Sequence, residues 1–281
     1  MTNGENAEQR EYWNGDNSRE WVVEADRFDG MLAPFSDILL EAAAPADGDR
    51  VLDIGCGNGA TTLAAARRVG SGAVTGFDIS APMLDVARGR ASSLGMDNTT
   101  FTLGDAQTDA LDGPYDVVVS RFGIMFFADP GAAFANIRSA ITSGGRAAFL
   151  CWRPMAENEW MSVPTAAALE HLPPPEVPAP DAPGPFRFCE AGSLPTMLEE
   201  AGFVDVSSEA IDTPVLLGGP GTFDEACAFL EGNGVTRRLL GDAPADVRAR
   251  ALEAMRDALV PFRTDDGVSL NGAVWLVRGR A

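Results

Sequence analysis

The stretch Val51-Leu-Asp53-Ile-Gly55-Cys56-Gly57-Asn58-Gly59, running into Ala60-Thr-Thr-Leu-Ala-Ala-Ala-Arg67, decides the fold. An aliphatic run ends in an acid, glycine then takes every second position, and a helix-forming run begins. Glycine has no Cβ, so such a loop lets a nucleoside-bearing ligand come close to the main chain. The helix behind it offers unpaired N–H groups and the positive end of its dipole to a carboxylate or phosphate. Asp53 beside the loop repels a pyrophosphate but suits a ligand carrying an ammonium group.

Outward from this loop the pattern alternates. Strands are predicted at Arg50–Ile54, Ala73–Asp78, Thr100–Leu103, Asp116–Ser120 and Arg146–Trp152. Helices are predicted at Asn58–Val69, Ala81–Leu94 and Pro130–Ile141. Ser80 and Asp129 stand as N-caps, Pro82 falls in a first turn, and Gly70, Gly95 and Gly144-Gly145 mark helix ends. Strands and helices alternating over short connections make a parallel sheet covered on both faces. Upstream, Val23, Phe28, Leu32, Phe35, Leu39 and Leu40 recur at helical spacing, with Pro34 expected to divide the run into two helices. Downstream, Pro173–Pro185 is too proline-rich for regular structure and reads as a stiff surface connection. Helical patterns return at Ser193–Ala201, Phe223–Leu230 and Ala243–Leu259. Val204–Leu217 reads as a strand with an extended tail, and Gly272–Arg278 as the last strand.

The chain thus divides into an N-terminal helical lid (1–48), a ligand-binding core (49–152), a cap that includes a further core helix and strand (153–270), and a last core strand (271–281). At 281 residues and 46% apolar content it has material for a substantial core. A net charge of −20 argues against nucleic acid or an anionic membrane as partner. No apolar run reaches the ~20 residues that span a bilayer, and the polar N-terminus is no secretory signal, so a cytoplasmic location is expected. Cys56, Cys151, Cys189 and Cys227 follow no metal or disulfide spacing. No acid cluster has metal-ligand spacing, and a homodimer is compatible with the composition.

The glycine pattern alone is ambiguous. Gly55-x-Gly57-x-x-Ala60 also satisfies the loose dinucleotide fingerprint, with Asp78 at a distance suited to ribose hydroxyls. A phosphate-binding Gly-Lys-Ser/Thr loop is excluded, since no such triplet follows. Three acids tip the balance. Asp53 ends the first strand, Asp78 ends the second in Gly76-Phe-Asp78-Ile-Ser80, and Asp105 follows the third in Gly104-Asp105-Ala106. All three face the crevice at the carboxyl ends of the strands, where open α/β sheets bind ligands.

On these residues, with Tyr115-Asp116-Val-Val-Val-Ser120 and Pro130–Trp152, residues 50–152 resemble class I S-adenosylmethionine-dependent methyltransferases. The ubiquinone/menaquinone C-methyltransferase-like branch is the nearest in pattern. The resemblance implies a Rossmann-like, doubly wound α/β sheet of seven strands, the last antiparallel. It implies Asp53 near the methionine ammonium, Gly55, Cys56 and Gly57 under the cofactor, and Asp78 on the ribose. Ile79 and Met83 would pack on adenine, and Asp105 with Ala106 would read its edge.

Trp13, or Trp21 behind it, is placed to close over the cofactor and to favour its sulfonium charge. Arg121, in Ser120-Arg121-Phe122-Gly123 after the fourth strand, could serve cofactor or acceptor, or pair with Asp129. Phe122, Phe126, Trp152, Trp160 and Phe186 are candidates for an apolar acceptor pocket, with Phe188 as a further aromatic and Gly184-Pro185-Phe186 as a lid segment. His171, the only histidine, and Arg121 are the candidate catalytic side chains, though no general base stands out. The expected activity is in-line methyl transfer to a small aromatic or apolar acceptor, with carbon, oxygen and nitrogen all open. Non-canonical use of the bound cofactor, in a cyclase or binding role, stays open. A nicotinamide oxidoreductase fits less well: the only tyrosines, Tyr12 and Tyr115, form no Tyr-x-x-x-Lys pair.

Overall fold

A computed structural model describes residues 6–174, 179 and 181–281, excluding the side chains of 16 and 17, so part of the Pro173–Pro185 stretch lies outside the described residues. Seven strands form the sheet: β1 (Arg50–Ile54), β2 (Ala73–Asp78), β3 (Thr99–Leu103), β4 (Tyr115–Arg121), β5 (Ile141–Trp152), β6 (Val204–Leu216) and β8 (Gly267–Arg280). Their order is β3-β2-β1-β4-β5-β8-β6, and a two-residue β7 (Arg263–Thr264) pairs with the start of β8. The first five strands run parallel, and β8 runs antiparallel to both β5 and β6. Val51, Leu52 and Val117–Val119 are wholly buried, because central parallel strands are covered on both faces.

Register does the positioning. Asp53 lies opposite Gly76 and Val119, Ile54 opposite Phe77, and Asp78 opposite Leu103. The ends of β1, β2, β3 and β4 therefore come level, and the loops that leave them meet at one edge.

The crossover helices are α4 (Ala60–Val69), α5 (Ala81–Ser93) and α6 (Pro130–Ser139). Asp129 caps α6 by accepting from Ala132 N–H at 3.0 Å. Ser80 occupies the N-cap position of α5, but its hydroxyl makes no capping bond. The Gly144-Gly145 pair does not end α6. That helix stops at Ser139, and β5 runs through both glycines. A Cβ on Gly145 would stand 2.5 Å from Ile141 Cγ2 and 3.0 Å from the Asp116 carbonyl, so glycine here permits close backbone approach inside a strand.

Ahead of the sheet come α1 (Ala7–Asn14), α2 (Asp16–Val23) and α3 (Ala25–Ala43). Pro34 does not break α3, which continues for nine residues beyond it; the break falls at Glu24 instead. Proline forfeits one helical hydrogen bond, but Met31, Leu32, Phe35, Leu39 and Leu40 are all buried along one face. Burial on that scale outweighs a single lost bond.

After β5 come α7 (Glu159–Leu169), α8 (Ser193–Glu200), α9 (Phe223–Gly232), α10 (Gly234–Leu240) and α11 (Ala245–Leu259). Helices α7 and α11 pack on one another. Helix α10 has no counterpart among the sequence expectations. Its seven residues are too few for a periodic signal, and its start is set by Asn233, whose side chain accepts from Thr236 N–H at 2.8 Å. Strand β8 begins at Gly267 rather than Gly272, extended by its pairing with β7 and the end of β6.

One buried side chain ties the 153–159 turn to β8. Asn158 donates through Nδ2 to the carbonyls of Arg153, Pro154 and Ala273, and its Oδ1 accepts from Ala273 N–H at 2.8 Å. Asn158→Ala strands that buried N–H, and we expect a loss of roughly 1–3 kcal/mol in urea denaturation. Asn158→Asp should restore no more than part of it, since a carboxylate cannot donate to the three carbonyls.

Candidate active site

A cavity of about 280 Å³ opens at the carboxyl ends of β1, β2 and β4, under the N-terminal helices. Its wall includes Gly55, Cys56, Gly57, Asp78, Ile79, Met83, Asp105 and Ala106 on the loop side. Trp13 and Trp21 come from the lid, and Phe122, Phe126, Trp152 and Trp160 form the aromatic side.

The glycine loop is shaped mainly by protein. Gly55 has φ +67°, and a Cβ there would stand 2.7 Å from Gly123 Cα; one on Gly57 (φ +52°) would stand 2.8 Å from Met83 Cε. The space spared at these two positions is filled by the chain itself, so the loop owes its glycines to backbone handedness and close packing.

Asp78 fastens this loop. Its Oδ2 accepts from Gly57 N–H at 2.7 Å and its Oδ1 from Ser80 N–H at 2.8 Å. Burial raises its pKa while the Ser80, Gly57 and Ile79 amides oppose the rise. Asp105 accepts from Gln107 N–H at 3.0 Å and from Asn6 Nδ2 at 2.9 Å. Cys56 lines the wall as a buried thiol whose pKa is raised by burial first and then by Asp78 and Asp53, so it is no nucleophile.

Asp53 does not line the cavity. It is 1% exposed at the end of β1, with Oδ2 accepting from Thr62 Oγ1 at 2.7 Å and a buried Oδ1 that has no partner. Burial pushes its pKa up to about 7 against the opposing Thr62 hydrogen bond and the Arg121 charge.

Arg121 reaches the cavity wall, but its guanidinium is engaged. It donates to Ser36 Oγ at 2.6 Å and to the Leu32 carbonyl at 3.3 Å, and stands 3.9 Å from Asp29. Asp129 is not its partner. Burial lowers the Arg121 pKa, countered by Asp29 and Asp53. Arg121 thereby fixes α3 to β4 and supplies the positive charge nearest Asp53.

On the aromatic side Phe122 has φ +67°, a rare value for a bulky residue, and stacks on Trp152 at 4.0 Å with the planes 6° apart. Trp160 leans on Trp152 at 5.2 Å, and its buried Nε1 has no partner. Trp13 meets Phe126 edge-on at 5.0 Å, so α1 and the β4 loop touch.

Three further candidates lie elsewhere. Phe186 packs on the core beside its wall-lining neighbour Pro185, and Phe188 is buried against Phe134. The Gly184–Arg187 turn is held against the β4 loop by Gly184 N–H to the Met125 carbonyl and Arg187 Nη1 to the Phe127 carbonyl. His171 is exposed just past the end of α7, off the wall. Sequence reasoning missed Asn14, which stitches the lid to the strand ends by donating to the Ile79 carbonyl at 2.9 Å and accepting from Ala81 N–H at 3.0 Å. It also missed Tyr12, Glu20 and Arg238, which share the cavity wall. Polar residues in a polar segment carry no periodic signal.

Among proteins of known sequence, a family described as a methyltransferase domain matches residues 45–202. The chain belongs to this methyltransferase family. The aklanonic acid methyltransferase of Streptomyces sp. strain C5 is 36% identical over 51% of this chain and 69% of its own length. The nocamycin O-methyltransferase of Saccharothrix syringae is 31% identical over 63% of this chain and 66% of its own, just under two thirds of that relative. A crystal structure of Haemonchus contortus phosphoethanolamine N-methyltransferase 2 in complex with S-adenosyl-L-methionine shares the fold. It has a TM-score of 0.57 and 17% identity, covering 97% of this chain and 59% of that one.

The cofactor of this methyltransferase is S-adenosylmethionine, and the residues present fit it. A buried carboxylate oxygen at Asp53 without a hydrogen-bond partner suits a cationic ligand, and Asp78 and Asp105 set acceptors on the wall. Among the described residues no helix is long and apolar enough to cross a membrane, and no group of three or more His, Cys, Asp or Glu is placed to hold a metal.

If Asp53 faces the cofactor's cationic end, cofactor binding is expected to depend on pH. Below about 7 its carboxyl is protonated, and a cation bound nearby favours the ionised form. Binding must then release a proton, so affinity for S-adenosylmethionine is expected to rise between pH 5.5 and 7, by up to about tenfold per unit. Titration calorimetry in buffers of different ionisation enthalpy measures both quantities. An equal slope in Asp53→Asn would reject this carboxyl as the source.

Proposed function

We propose that this methyltransferase transfers the methyl group of S-adenosylmethionine to an oxygen of a small aromatic or otherwise apolar metabolite. The observation that carries the reading is a wall rich in aromatic surface and poor in free proton acceptors. Among the described lining residues there is no imidazole, and every carboxylate is already engaged. Glu20 accepts from Gly234 N–H and pairs with Arg237, and Asp29 pairs with Arg90. Asp78 and Asp105 hold the amides and the Asn6 side chain described above. An acceptor that must lose a proton therefore loses it to water. Phenols, enols and carboxylic acids do so readily, and their oxygens are then nucleophilic without a protein base.

The bound cofactor supplies an electrophilic methyl group on a sulfonium centre. The chain's own contribution is orientation and exclusion of water. Trp13, Phe126, Phe122 and Trp152 offer flat faces against which an aromatic acceptor can be held, and aromatic faces toward a cation add about 0.5–2 kcal/mol each. Holding the two reactants in line is worth up to roughly 7–11 kcal/mol of the barrier. Helices α1 and α2, stitched down by Asn14, close the site to water. The relatives named for aklanonic acid and for O-methylation of nocamycin favour an oxygen-bearing acceptor of this class.

The test is a panel of acidic phenols and aromatic carboxylic acids incubated with protein and S-adenosylmethionine, with products read by mass spectrometry. We expect methyl ethers or esters, formed in step with S-adenosylhomocysteine. The value of kcat/KM should rise with unit slope up to the acceptor's own pKa, unchanged in His171→Ala. Methylation at carbon or nitrogen alone, or S-adenosylhomocysteine without a methylated product, would sink the proposal.

A further inference from the structure

The chain holds 41 acidic residues against 21 basic ones, and every basic residue is arginine. Two of these arginines reach the cavity wall. Arg121 is half-buried, with Nη1 donating to Ser36 and Leu32 and Nη2 standing 3.9 Å from Asp29. Arg238, on α10, is exposed at the rim. Its one recorded hydrogen bond is from Nη1 to Tyr12 Oη at 2.8 Å, and no carboxylate among the described residues stands within 4 Å of it.

That arrangement is unusual for so acidic a surface. Glu20, an acid that shares the wall with Arg238, is consumed elsewhere: Oε1 accepts from Gly234 N–H at 2.9 Å and Oε2 pairs with Arg237 Nη2 at 2.7 Å. Arg237 thus neutralises Glu20, and the charge of Arg238 is left over. Tyr12, which lies against Trp13 at 5.1 Å, holds the guanidinium at the edge of the aromatic wall. A planar guanidinium with free N–H donors recognises a carboxylate or a similarly delocalised anion better than any neutral group.

We propose that Arg238, oriented by Tyr12, binds an anionic group of the methyl acceptor, so that the substrate class is an apolar, aromatic acid rather than a neutral compound. This deepens the preceding reading and rests on it. The aromatic body lies along Phe122, Trp152 and Trp160, and the negative charge stays at the rim. Arg238 acts here as a specificity-determining contact, separate from the loop that holds the cofactor.

The experiment measures binding of two probes, 2-naphthoate and neutral 2-naphthol, to protein saturated with S-adenosylhomocysteine at pH 7. Wild type, Arg238→Gln and Arg238→Lys are compared. We expect Arg238→Gln to lose about tenfold or more in naphthoate affinity, the scale of a hydrogen bond to a charged group. Arg238→Lys should recover part of it, the naphthoate loss should shrink in high salt, and 2-naphthol should bind all three alike. Equal losses for both probes, or no loss for naphthoate, would overturn the assignment. So would a fall in S-adenosylhomocysteine affinity, which would give Arg238 to the cofactor's own carboxylate. Failure of wild type to bind either probe would instead remove the aromatic-acceptor reading beneath it.

Discussion

The carboxylate of Asp78 holds the site together. One oxygen takes Gly57 N–H and the other takes Ser80 N–H, so the end of β2 grips the glycine loop that leaves β1. Both bonds lie in a nearly dry place, where hydrogen bonds to a charged group are strong and their loss is costly. The loop needs this grip because its path is otherwise unfavourable: Gly55, Gly57 and Gly59 all take positive φ. Each is wedged against protein, with Gly55 on Gly123, Gly57 on Met83 and Gly59 on Ala87. The loop is thus clamped between the β4 loop and α5, and the cavity floor is rigid before any ligand arrives.

From that floor the roof is hung by polar stitches as well as by the aromatic contacts of Trp13 and Trp21. Asn6 reaches Asp105, Asn14 bridges Ile79 and Ala81, and Asn58 donates to the Trp21 carbonyl at 2.7 Å. Across the cavity Glu20 and Tyr12 reach α10. The same short helices therefore touch the strand ends on one side and the cap on the other. Helix α1 has no buried residue, so it draws little stability from the core.

Charge is arranged with the same economy. Asp53 is buried where a carboxylate is costly, so its pKa is raised to about 7 and it is neutral below that pH unless a cation offsets it. Arg121 offsets part of that charge, and Asp29, which stands near Arg121, is in turn held by Arg90. No histidine takes part, and the acids on the wall are each satisfied. A surface of this kind favours positioning over proton transfer.

Much of this was legible in order along the chain. The strand–loop–helix text around Gly55, the acids closing β1, β2 and following β3, and the alternation of apolar runs dictate the parallel sheet and its binding edge, because handedness and burial leave few alternatives. Other features are decided by contacts between distant residues. Pro34 stays inside α3 because burial along that helix outweighs one lost bond, and Gly145 sits inside β5 because the backbone of the neighbouring strand needs the room. Phe186 turns to the core while Pro185 takes the wall, and Arg121 is spent on α3 while Arg238, 117 positions later, keeps its charge at the rim. Local pattern fixes which elements form, since it acts through neighbours in sequence. Which charges remain uncompensated and which aromatic faces line the cavity depends on packing across the whole molecule, and only the assembled fold decides it.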